Sequence, residues 1–133
     1  MQNFTLLVGR LALSLIFILA GIGKITAYGA TTKLLVAHGL PPGLLPLVIL
    51  AELGGGLAVL CGWLTRWAAA GLFVYTLLAA VVFHNNLADH EQWLNFMKNL
   101  AIAGGFLVLA AHGPGNLSLD AWRRRKRKQK IFF

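Results

Sequence analysis

Acidic residues are scarce in this sequence. There are four in 133 residues: Glu52, Asp89, Glu91 and Asp120. Cysteine is scarcer still, with Cys61 alone. One cysteine excludes an internal disulfide framework and any cysteine-rich metal site. Charge of either sign is thin: 12% of residues are Asp, Glu, Lys or Arg, against about a quarter in an average soluble domain. A small domain has much surface to keep wet, and this chain has too little polar material to cover it. Hydrophobic residues make up 58%, and the mean hydropathy is +0.72. Composition therefore argues against a soluble globule and against disorder.

Other absences narrow the chemistry. His84, His90 and His112 are not spaced as a metal-ligand set, and no carboxylate stands beside a His pair, so no metal is expected. No glycine-rich phosphate loop appears, and no Ser/His/Asp order is compelling. A self-sufficient catalytic constellation is missing.

What the sequence does have is long apolar runs. Four of them, at about 4–24, 44–63, 67–84 and 96–112, approach the roughly 17–25 residues that a helix needs to cross the hydrocarbon core. In lipid only helices and closed barrels satisfy their own backbone. Barrel strands are short and alternate, and these runs do neither. The fold class expected is all-α: a four-helix transmembrane bundle over 1–120, followed by a basic tail over 121–133. The stretch from Tyr28 to Gly43, with Pro41-Pro42, reads as a loop. So does the polar stretch from Asn85 to Gln92. The first run has no basic residue before it and carries Arg10 inside it, unlike a signal peptide, so it is expected to be retained.

The net charge of +8 suggests a nucleic-acid binder until its distribution is seen. Arg123, Arg124, Arg125, Lys126, Arg127, Lys128 and Lys130 supply seven of the 12 basic residues. The rest of the chain carries five Lys/Arg against four Asp/Glu, a net +1. A basic run beside a membrane helix places the C-terminus in the cytoplasm, and four crossings then place the N-terminus there too. The partner expected for the tail is anionic lipid, not nucleic acid.

Charges at bilayer depth cost roughly 2.5–3.5 kcal/mol each on insertion scales. The short list here is Arg10, Glu52 and Lys98, with Lys24 and His84 near segment ends. Arg10, Ser14, Phe17, Gly21 and Lys24 recur at spacings of four and three, one stripe of a helix. Helix contacts are expected at Gly21, Gly54, Gly55, Gly56, Gly104 and Gly105, because small residues let membrane helices approach. Two readings stay open. Arg10 and Glu52 form a structural ion pair while Lys24 and Lys98 snorkel to headgroups. Alternatively Arg10, Lys24, Glu52, His84, Lys98 and Asn99 build a polar pocket, cationic in balance, that holds an anion or a quinone-like head group.

Taken together, the motifs resemble the DoxX family of small bacterial membrane proteins. The resemblance runs through Arg10, Phe17-Ile18-Leu19-Ala20-Gly21-Ile22-Gly23-Lys24, Glu52-Leu53-Gly54-Gly55-Gly56-Leu57 and Gly62-Trp63-Leu64-Thr65-Arg66. It continues through Phe83-His84, Phe96-Met97-Lys98-Asn99-Leu100 and Gly113-Pro114-Gly115 to Asp120. It implies a four-helix protein of the bacterial inner membrane. The family's name comes from a subunit of quinone-linked thiosulfate oxidation. By that resemblance a quinone is the one cofactor class in view, and this chain would supply a quinone site or an anchor. A redox partner subunit or a homo-oligomer would be its protein partner. A small-molecule-binding or redox-accessory component, a quinone-linked oxidoreductase subunit and a purely structural subunit all remain open on the sequence.

Overall fold

Six α-helices account for most of the chain in this computed structural model, which describes residues 1–132. They are α1 (Gln2–Thr26), α2 (Tyr28–Ala37), α3 (Leu45–Cys61), α4 (Thr65–Phe83), α5 (His90–His112) and α6 (Leu119–Ile131). A 3₁₀ turn, Pro42–Leu44, leads into α3. Four helices are long and apolar enough to cross a membrane: α1, α3 with its 3₁₀ turn, α4 and α5. Among the described residues no strand occurs.

The bundle is two helix pairs, α1 with α3 and α4 with α5, joined where α3 meets α4. The buried residues of α1 are Arg10, Ser14, Phe17 and Gly21, the stripe read from the sequence. Phe17 lies at the centre, edge-to-face with Phe106 of α5 (5.4 Å) and with Tyr75 of α4 (6.1 Å). Val59, Ala69, Leu72 and Leu109 complete the core. The opposite helix faces carry exposed Leu15, Leu19, Leu50, Leu78 and Val108. Such side chains suit hydrocarbon as solvent, where association rests on packing.

That packing is visible at four of the six glycines. A methyl group added at Gly21 would lie 2.6 Å from Cγ of Leu53. One at Gly56 would lie 3.0 Å from Ile18, one at Gly55 3.0 Å from Leu72, and one at Gly105 3.0 Å from Leu13. Gly54 and Gly104 are exposed and make no such approach. The helical period explains the difference. Glu52, Gly56 and Val59 face inward on α3, which turns Gly54 outward, and Ala103 and Phe106 do the same to Gly104.

Two stretches read as loops are helical in part. Residues 28–37 form α2, where Thr31 and Thr32 donate their hydroxyls to the carbonyls four residues back. These bonds satisfy polar groups that otherwise argue against a helix. Gly39, with φ of 76°, and Pro41-Pro42 end it. Helix α5 starts at His90 rather than near residue 96. Asp89 takes the extended N-cap conformation, and Glu91 lies in the first turn, where the helix dipole favours an acid. The basic segment is itself helical as α6, begun by Ser118, whose Oγ accepts from the Ala121 N–H. The last residue of the expected tail, Phe133, lies outside the described residues.

Candidate functional site

The intramembrane charges separate into two groups. Arg10 is 1% exposed and reaches toward the end of the bundle that carries Met1. There the last carbonyls of α3 have no partner within their own helix. Arg10 Nε donates to Val59 O (3.0 Å) and Nη2 to Leu60 O (2.8 Å). Its Nη1 donates to Pro114 O (3.0 Å) and Leu117 O (2.7 Å) in the α5–α6 link. Four carbonyls thus occupy a guanidinium that has five N–H donors. The expected Arg10–Glu52 pair does not form: α1 packs Gly21 against Leu53 and Ile18 against Gly56, so Arg10 lies level with the end of α3 and out of reach of Glu52.

The same end is tied by Asp120 of α6. Its Oδ1 accepts from the Leu64 N–H and its Oδ2 from the Thr65 N–H, both at 2.9 Å. These N–H groups open α4, so a residue 55 positions away supplies the cap. Leu64 stands in the left-handed region, φ 47°, and Gly62 beside it has φ 71°. A methyl group on Gly62 would strike Ser118 and lie 2.9 Å from Arg10 Nη2. Arg66 donates to the His112 carbonyl at the end of α5 (3.3 Å).

Burial pushes the Asp120 carboxyl up. The Thr65 and Leu64 N–H groups and the charge of Arg124 outweigh it and hold the carboxyl below its ordinary value. A folded-state value below the unfolded one stabilises above the unfolded range, about pH 4, and that contribution is lost as pH falls through the folded value. Asp120→Ala is therefore expected to lower stability by about 1 kcal/mol at pH 7, the scale of a lost cap. Thermal unfolding in detergent at pH 7 and at pH 3 tests this: the gap between wild type and variant shrinks at pH 3.

Glu52 belongs to the second group. It is 4% exposed, and Lys24 of α1 reaches it, with Nζ 2.9 Å from Oε1. Tyr75 of α4 donates its hydroxyl to the same oxygen at 2.5 Å. The other oxygen, Oε2, is buried and has no hydrogen-bond partner among the described residues. Glu52, Lys24 and Tyr75 line a cavity of about 660 Å³ with Thr76, His84 and Asn99. Apart from Thr31 of α2, the rest of its walls are apolar, among them Phe17 of α1, Leu34 and Leu35 of α2, Leu47 of α3, Ala79 of α4 and Ile102 of α5. A smaller cavity of about 410 Å³ shares Ile16, His84, Asn99 and Ile102 with it and adds Asn95 and Lys98.

Five of the six polar residues singled out in the sequence line one or other cavity: Lys24, Glu52, His84, Lys98 and Asn99. Arg10 lines neither. Lys24 is paired and Lys98 is exposed on the smaller cavity. The main cavity is thus mostly apolar with a neutral pair at its polar end, instead of cationic. Sequence reasoning missed Tyr75, Thr76 and the whole of α2. A hydroxyl in the middle of an apolar run was the available signal, since a buried Tyr usually finds a partner.

A family profile described as DoxX matches residues 5–85. The chain belongs to the DoxX family. Over 126 residues it is 48% identical to Inner membrane protein YqjF of Escherichia coli (strain K12), covering 95% of this chain and 97% of that protein. It is 36% identical over 122 residues to Inner membrane protein YphA of the same organism, covering 86% of this chain and 87% of that one. No solved structure matches the chain. Those relatives are named inner membrane proteins, and this DoxX protein, with four helices able to span, is a multi-pass inner-membrane protein. The family match includes Arg10, Lys24, Glu52, Tyr75 and His84, and it ends before Lys98, Asn99 and Asp120.

Proposed function

We propose that this DoxX-family protein binds a small amphiphilic molecule inside the membrane, as a binding or redox-accessory component. The observation that carries the proposal is the cavity of about 660 Å³, in which a buried carboxylate and a few polar side chains line mostly apolar walls. Ligand sites are commonly of this size, mostly apolar, with a few convergent polar groups. A buried ionisable residue in a membrane bundle is costly and calls for a role. The seven basic residues of α6 support an orientation with that end of the bundle in the cytoplasm, against anionic headgroups. The cavity then belongs to the outer half of the bilayer.

The test is native mass spectrometry of the protein released from its own membrane. One copy of a lipophilic molecule, a quinone among the candidates, is expected to leave with the wild type. Ala20→Phe and Ala79→Phe, which fill the cavity from α1 and α4, are expected to lose it while the protein stays folded. Equal retention by both variants would count against a site in this cavity.

A further inference from the structure

We infer that the ligand is a neutral, hydroxyl-bearing lipophile that enters sideways from the bilayer and donates its hydroxyl to Glu52 Oε2. This rests on the cavity being a binding site, and it adds what the site selects.

The polar end is already half occupied by the protein. Glu52 Oε1 takes both local donors, the Tyr75 hydroxyl and the Lys24 ammonium. Oε2 takes none, although it is buried. A carboxylate is acceptor-only, and a buried charged acceptor left unmade is costly. The missing group is therefore a donor, which a quinone supplies only in its reduced, hydroxyl-bearing form. Its charge follows from the neighbours. Lys24 already neutralises Glu52, so an ammonium ligand would face the Lys24 charge across one carboxylate. A carboxylate or phosphate head would face Oε2 itself. A neutral hydroxyl meets neither repulsion.

The route follows from exposure. Leu47 and Leu78 line the cavity yet are each 61% exposed, and Leu34 is 50% exposed. Leu47 and Leu78 stand on membrane-spanning helices, so their exposed surface faces lipid. The cavity thus opens through apolar side chains toward hydrocarbon, and a molecule dissolved in the bilayer meets the apolar wall before the carboxylate. The apolar body would lie along α2, α3 and α4, with its hydroxyl at Glu52.

A matched pair of probes isolates the hydroxyl: 4-dodecylphenol and its methyl ether. Each is added at equal membrane mole fraction to the full-length protein in phosphatidylcholine nanodiscs, and occupancy is read by native mass spectrometry. The phenol is expected to bind at least about tenfold more tightly, the scale of a hydrogen bond to a charged group. Glu52→Gln, which keeps the shape, is expected to bring the ratio toward one. Equal binding of both probes to the wild type, abolished by Ala79→Phe, would overturn the donor rule and leave the cavity as a site. Equal binding unaffected by Ala79→Phe, or no binding of either probe, would overturn both. The wild-type comparison stands even where Glu52→Gln fails to fold.

Discussion

Replacing Arg10 with Leu is expected to cost about 3–5 kcal/mol of stability, the scale of breaking a buried charged contact. The side chain donates to four carbonyls on two separate segments, the end of α3 and the α5–α6 link. Leucine fills the volume, leaves the buried Pro114 carbonyl without its donor and leaves Val59 O with the Gly62 N–H alone. Each such loss costs roughly 1–3 kcal/mol, offset in part by the guanidinium no longer being desolvated. Arg10→Lys keeps the charge but not the planar fork, so it is expected to restore only part of the loss. Two measurements check this. The melting temperature in detergent falls sharply for Arg10→Leu. Trypsin also removes the basic part of α6 faster, because the link that Arg10 holds is released. A variant with wild-type melting and wild-type cleavage would show that the carbonyl contacts are incidental.

Lys24→Met is expected to be the second most damaging change. It leaves Glu52 buried with the Tyr75 hydroxyl as its remaining donor. Loss of one partner from a buried pair costs roughly 3–5 kcal/mol, whereas replacing both by apolar side chains is often neutral or stabilising. Lys24 is 28% exposed, so the low end of that range applies. The double change Lys24→Met with Glu52→Leu is then expected to recover most of the loss. Thermal unfolding of wild type, both single variants and the double variant closes the cycle. Strict additivity would mean that the 2.9 Å contact contributes no coupling. Recovery of stability in a double variant that no longer binds the phenol probe would separate the two roles: the pair holds the fold, and the carboxylate holds the ligand.

The bundle was legible because its signals are local. Apolar runs of crossing length and the spacing of Arg10, Ser14, Phe17 and Gly21 depend only on helix geometry, and α1 buries that stripe. Helix α2 was not legible, since Gly29, Thr31 and Thr32 weaken a helical signal over only ten residues. Its helix is supported by hydroxyl bonds to its own carbonyls and by Leu35, which the bundle buries. Gly54 and Gly104 show the same limit on a smaller scale. A glycine in an apolar run signals close packing, but only the phase of the whole helix says whether it faces a neighbour.

The sequence by itself determined the class of the protein. With 12% charge and four long apolar runs, no other arrangement covers the backbone in a lipid solvent. It also singled out Arg10 and Glu52, the charged residues that the bundle buries. The tertiary structure alone decided their partners. Packing of α1 on α3 sets Gly21 against Leu53, which leaves Arg10 about 17 Å along the helix from the level of Glu52, beside helix ends whose carbonyls a guanidinium can take without a carboxylate. Once α3 ends beside the α5–α6 link, Arg10 is satisfied there, and Glu52 is left to Lys24 and to Tyr75. Hydrogen-bond choice in a bundle depends on which acceptors converge in space, and convergence across 104 residues, as from Arg10 to Pro114, leaves no mark in sequence spacing.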